Sequence, residues 1–378
     1  MTVSTEKQAQ KAVSPGVLNF LIGLVIVVAL AFLARWLKLQ VYNIKDIGLG
    51  IPGKALEYPL WAALVGLLAN VVLKVTRLYD FVRAGFRTEL FLKIGLVLLG
   101  ASLNFKTILT AAAGSIVQAL IMVTAVYFFC WWLAGKFKLA DTLRAVMSTA
   151  ISICGVSAAI AAAGSVMAKK DEITYITTLV IITALPLMVI APLLANWMNM
   201  PDPVAGAWFG GNIDTTAAVV GAGTIYSGTA QQIASIVKQT QNTLIGVAAF
   251  LLALYFSYVV EGKKVRPSFS IIWQRFPKFV LGFILVSLLL TFAVIPAAVK
   301  DADLAKGAAP NLTNAILALK DWAFCLAFVC MGLDLSVAGL KKMGWAPLAV
   351  FLIVTVFNTL LALGVSWLIF GWLFPVSL

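Results

Sequence analysis

Eleven apolar stretches follow one another along the chain with only short connections between them: residues 17–37, 59–77, 89–105, 108–134, 143–168, 173–198, 204–226, 232–258, 276–298, 316–338 and 345–373. A helix crossing the hydrocarbon core needs roughly 20 apolar residues, whereas a membrane barrel strand needs about 10 in strict alternation. The stretches are long and unalternating, so they predict helices. Hydrophobic residues make up 62% of the chain and charged ones 11%, against roughly 45–50% and about 25% in soluble domains. A soluble enzyme is excluded. The expected fold is an all-α polytopic membrane protein of about 11 transmembrane helices, with residues 1–16 a cytoplasmic tail and 17–378 a single transmembrane domain.

The formal charge of +13 sits in the short connections, where it sets topology beside anionic lipid and calls for no nucleic acid. With the N-terminus inside, sixteen Lys and Arg fall in cytoplasmic loops and ten outside, which favours that orientation. The polar start, MTVSTEKQAQKAVSPG, precedes an apolar run without an A-x-A cleavage pattern, so the first run reads as a retained span. There is no histidine, which removes His-based catalysis and His metal ligands. Cys130, Cys154, Cys325 and Cys330 lie in apolar runs without CxxC spacing and read as reduced, apolar residues. GLGIPGK (48–54) lacks the spacing and Ser/Thr of a phosphate loop. No cofactor is expected.

Two internal echoes run through the chain. LLGASLNFKTIL (98–109) aligns with VCMGLDLSVAGL (329–340) when Gly100 is laid on Gly332 and Leu103 on Leu335. The segments lie seven apart, an odd number, as an inverted repeat requires. SAAIAAAG (157–164) echoes TAAVVGAG (216–223), and each follows a polar, glycine-containing break. Unpaired backbone in lipid costs several kcal/mol per group, so broken helices survive only where they line a protein cavity. There the free N–H groups and positive helix ends attract anions. Close packing by small residues explains either break alone; two breaks in one chain favour a shared central site.

Ionisable residues inside spans are functional candidates. Lys93 lies near the start of its segment and can snorkel, and Asp334 near the end of its own, where it could be a cap. Asp214 lies in the second break. Lys238, Gln241 and Asn242 share one helical face. A Lys238–Asp214 pair would lower the insertion cost of both; alternatively, Lys238 neutralises a bound anion while Asp214 carries a coupling proton or cation. The candidate substrate-binding residues are Ser152, Cys154, Gly155 and Ser157 from the first break, Gly211, Asn212, Thr215 and Thr216 from the second, and Lys238, Gln241 and Asn242. Asp214 and Asp334 are the candidate coupling groups.

The ordered set LLGASLNFKTIL, STAISICGVSAAIAAA, GGNIDTTAAVVGAG, ASIVKQTQNTLIG, RFPKFVLGF and MGLDLSVAGLKKMGWAPL resembles the YeiH (UPF0324) family of bacterial inner-membrane proteins, described as sulfate exporters. The likeness runs from about residue 50 to the C-terminus. The resemblance implies a secondary transporter with inverted repeats and crossing broken helices, distantly similar to cation/proton antiporters and bile-acid symporters. It also implies elevator-type movement, a homodimer and residence in the bacterial inner membrane. The chain departs from the family pattern at Asp214–Thr215, where many members carry His followed by an acidic residue, and at Gln241, where they often carry Arg. That loss of positive charge makes a larger or less charged anion plausible. The expected function is secondary transport, as an exporter, of a small anion, a sulfur oxyanion or organic sulfonate, coupled to protons or sodium. The alternative is a passive anion channel. An enzyme is not expected, since only Ser152 with Lys238 could supply a nucleophile and base.

Overall fold

A computed structural model describes residues 16–42, 44, 57–102, 105–260, 270–294, 309–335 and 344–376. Among these residues every regular element is helical. Seven helices are long and apolar enough to cross a membrane: Val17–Tyr42, Tyr58–Val75, Ile108–Lys136, Lys170–Trp197, Gly228–Val259, Leu312–Leu333 and Trp345–Leu373. Large apolar side chains such as Val25, Phe32, Leu68, Phe128 and Leu360 stay well over half exposed. An exposed apolar girdle of this kind is stable only against lipid or another protein.

The other four stretches do not form single long spans. The third is the 12-residue α4, Thr88–Leu99, and the ninth is α14, Phe279–Leu289, after the short α13, Ser270–Arg275. The fifth divides into α6, Asp141–Ser152, and α7, Val156–Val166. The seventh divides into α9, Asp202–Asn212, and α10, Thr216–Tyr226. Apolar composition alone does not show where a helix stops. The stops here are set by Gly155, whose φ of +66° suits a residue without a Cβ, and by the extended turn at Ile213 and Thr215.

The remaining helices are α1 (Val17–Tyr42), α2 (Tyr58–Val75), the one-turn α3 (Tyr79–Val82), α5 (Phe105–Lys136), α8 (Lys170–Trp197), α11 (Gly228–Thr243), α12 (Ile245–Tyr255), α15 (Ala309–Leu333) and α16 (Trp345–Ser366). They pack as two groups. In one, α15 lies against α2 and α4, with α1 and α14 alongside; in the other, α5, α6, α9, α11 and α16 pack together, with α7, α8, α10 and α12 around them. The groups meet where α10 touches α2 and α15. Close backbone approach sets the packing inside each group. A Cβ on Gly66 or Gly332 would strike the facing backbone of α15 or α2, and a Cβ on Gly206 or Gly210 would press into α11.

The first echo falls partly outside the described residues (103–104 and 336–340). Its two glycines occupy comparable places, Gly100 against Phe283 of α14 and Gly332 against α2. The second echo coincides with α7 and α10, two half-helices of 11 residues that each begin at a break. The GLGIPGK loop lies outside the described residues.

Candidate functional site

The two breaks meet. A methyl group built at Gly155 would lie 3.5 Å from the Asp214 carbonyl oxygen and from Thr215 Cγ2, and would collide with Val180. The Gly155 N–H closes the last turn of α6 by donating to the Ala150 carbonyl at 2.8 Å. Ile153, Cys154, Ala158 and Ala161 then pack on Ile245 and Ala249 at the start of α12. In the second break the Thr215 hydroxyl caps α10, accepting from the Ala218 N–H at 3.2 Å. The end of α9 is held by α16: Asn358 Nδ2 donates to the Asn212 carbonyl and the Thr359 hydroxyl donates to Asn212 Oδ1, both at 2.8 Å.

Lys238 is buried beneath this junction, 2% exposed. Its Nζ donates to the Ile153 carbonyl at 2.6 Å and to Gln241 Oε1 at 3.0 Å. A cation at that place offsets the negative C-terminal end of α6, which is one physical reason for a lysine amid apolar helices. Asp214 is equally buried, but no ion pair joins it to Lys238, whose ammonium goes to Ile153 and Gln241 instead. Its Oδ2 has no hydrogen-bond partner, nor do Gln241 Nε2, Asn212 Nδ2 and Asn242 Oδ1. Such atoms normally find partners when buried.

In front of the junction lies a cavity of about 500 Å³. One wall is the first turns of α7 and α10, through Val156, Ser157, Thr216 and Ala217, together with Cys154, Thr215 and Asn242. Asn242 Nδ2 donates to the Thr216 hydroxyl at 3.2 Å. The facing wall is Thr88, Glu89 and Lys93 of α4, Asp334 after α15, and the α13–α14 corner with Lys278. One contact to α4 ties the two walls, and a second lies within the facing wall. The Ser157 hydroxyl donates to Glu89 Oε1 at 3.2 Å, and the Thr88 hydroxyl donates to Asp334 Oδ2 at 2.6 Å. Glu89 Oε2 also pairs with Lys93 at 3.2 Å.

Of the residues singled out in the sequence, Lys93, Cys154, Ser157, Thr215, Thr216, Asn242 and Asp334 line the cavity. Ser152, Gly155, Gly211, Asn212, Asp214, Lys238 and Gln241 are not on its surface. Gly155, Asp214, Lys238 and Gln241 build the junction behind it; Gly211 packs against Gln118 and Ala362, and Ser152 donates to the Thr149 carbonyl at 3.4 Å. Glu89, Lys278, Gln118, Asn358 and Thr359 escaped the sequence. Glu89 carried a signal in its i, i+4 spacing to Lys93, and Asn358–Thr359 is a polar pair within an apolar run. Lys278 carried none. No cluster of His, Cys, Asp and Glu suited to a metal occurs among the described residues.

Comparison with known proteins places the chain in a family. The profile of the family described as conserved hypothetical protein 698 matches residues 21–351. The chain is similar to a UPF0324 membrane protein of Rhodopirellula baltica, 34% identical over 366 residues, which cover 93% of this chain and 63% of that one. It is similar to a UPF0324 membrane protein of Nitratidesulfovibrio vulgaris, 34% identical over 369 residues, 94% of this chain and 60% of the relative. A third, from Nitrosomonas europaea, is 31% identical, with 89% and 74% covered. The chain thus spans less than two thirds of the length of the first two. No solved structure matches it. By profile and by relatives alike, the chain belongs to the UPF0324 family of membrane proteins.

Proposed function

We propose that this chain is a secondary transporter that moves a small anion, a sulfur oxyanion or organic sulfonate, by alternating access. The observation that carries the proposal is the cavity whose wall is made of the first turns of two broken helices, α7 and α10. Each such turn presents N–H groups without helical partners and about half a positive charge. Gly155 has no side chain with which to cap α7, so the N–H groups of Val156 and Ser157 are available to a ligand. The oxygens of a sulfonate match several N–H donors at once.

Lys238 holds the end of α6, which fixes the direction of α7, and its charge lies just behind Cys154. Asp214, buried with a bare Oδ2, is the coupling group in this scheme, and Asp334 on the far wall is a second acidic candidate. The group containing α7 and α10 would shift against the group of α1, α2, α4, α14 and α15, opening the cavity to alternate sides. A homodimer in a bacterial inner membrane, with the N-terminus inside, is the setting we propose for it.

The test is flux through the purified chain in sealed vesicles, with labelled sulfate and labelled ethanesulfonate as probes. Saturable flux that responds to an imposed pH or sodium gradient is expected, and Lys238→Ala should abolish it while leaving expression intact. Flux indifferent to both gradients would instead mark a passive channel. Absence of flux for either anion would overturn the proposal.

A further inference from the structure

The charges of the cavity do not suit a simple dianion. Its surface carries two lysines, Lys93 and Lys278, and two carboxylates, Glu89 and Asp334. Both lysines are already engaged: Lys93 pairs with Glu89, and Lys278 donates to the Trp273 and Gln274 carbonyls at 2.6 and 2.9 Å. Behind the wall stand one buried cation, Lys238, and one buried carboxylate, Asp214. The positive potential left over is that of the α7 and α10 N-termini, all on one wall.

The facing wall carries an acceptor, Asp334. Asp334 is held by one neutral donor, the Thr88 hydroxyl, and among the described residues no cation lies within ion-pair distance of it. A second, independent acceptor stands beside α10: the Asn242 side chain lines the cavity and is only 3% exposed, its Nδ2 donates to Thr216, and its Oδ1 has no partner. An acceptor beside the anion-binding turns repels a bare oxyanion and calls for a ligand bearing N–H or O–H donors. Thr88, which holds Asp334, and Glu89, which holds Ser157, are consecutive residues of α4.

We infer that the ligand is a zwitterion, an amino sulfonate or its close analogue, with its anionic group on the first turns of α7 and α10 and its ammonium on the acceptors lining the same cavity, Asn242 Oδ1 beside α10 and Asp334 on the facing wall. The inference rests on the anion site proposed above and adds the second pole. It also gives Asp334 a role in selecting the substrate.

The experiment is titration of the purified full chain, by calorimetry or by thermal unfolding, with 2-aminoethanesulfonate, ethanesulfonate and sulfate. Ligands that bind the folded state raise its unfolding temperature in proportion to affinity and concentration. The wild type should bind 2-aminoethanesulfonate at least about tenfold more tightly than ethanesulfonate, the scale of a hydrogen bond to a charged group, and sulfate weakest. Asp334→Asn should erase most of that preference while keeping ethanesulfonate affinity. Equal binding of the two sulfonates by the wild type would overturn the inference and leave the anion site standing; so would a preference that survives in Asp334→Asn. Binding of none of the three would overturn both. The wild-type comparison decides without the variant should Asp334→Asn fail to fold.

Discussion

At the scale of single residues, the site depends on one backbone angle and one buried cation. Gly155 holds φ at +66° and ψ at −111°, outside the small left-handed region open to other residues. A side chain there would also strike Val180. Strain of this kind costs about 1–3 kcal/mol, before the collision is added. Gly155→Ala should therefore lower the unfolding temperature of the purified chain and weaken sulfonate binding. Gly364→Ala is the control, since a Cβ there meets nothing within 4 Å; it should leave both unchanged. Lys238 shows why a charged residue in an apolar run deserves a geometric question before a functional one. Its ammonium serves the Ile153 carbonyl and Gln241, so its effect on a ligand is exerted through the position of α7 and through its field.

At the scale of elements, α10 is the half-helix with a side-chain cap. Thr215→Val removes the bond to the Ala218 N–H, and loss of such a cap typically costs about 1 kcal/mol. The expected result is a lower unfolding temperature with an altered affinity for sulfonates, read in the same titration. An unchanged unfolding temperature would mean that the cap carries no weight. The breaks themselves were legible in the sequence because polar and glycine residues in an apolar run have few other uses: SICG and GGNIDT fall at or beside the turns that end α6 and α9. The facing wall was much less legible. Glu89 and Lys278 stand at the ends of their helices, where charged residues commonly sit, and only the packing of α4 and α14 brings them to the cavity. Helix length was overestimated for the third stretch, where α4 ends at Leu99, because composition reports burial in apolar surroundings and says little about where the backbone turns.

At the scale of the whole molecule, the described residues form two packed groups with the cavity on the seam between them. The hydrogen bond from Ser157 to Glu89 crosses it and is exposed, which suits the sliding we propose. Cross-linking the groups should stop transport. With Cys154 replaced by Ser, a short bifunctional thiol reagent joining Ser157→Cys to Glu89→Cys should abolish flux, and reductive cleavage of the link should restore it. Flux that persists in the cross-linked protein would show that the two groups do not move against each other.

The central claim is that the first turns of α7 and α10 together bind the anionic end of the ligand. Soaking crystals of the chain with bromomethanesulfonate tests it most directly, because bromine marks the ligand by anomalous scattering. The account predicts one anomalous peak inside the cavity, with sulfonate oxygens in hydrogen-bond contact with the N–H groups of Val156–Ser157 and Thr216–Ala217. A cavity without the peak at saturating ligand, or a sulfonate bound away from both half-helices, would contradict it.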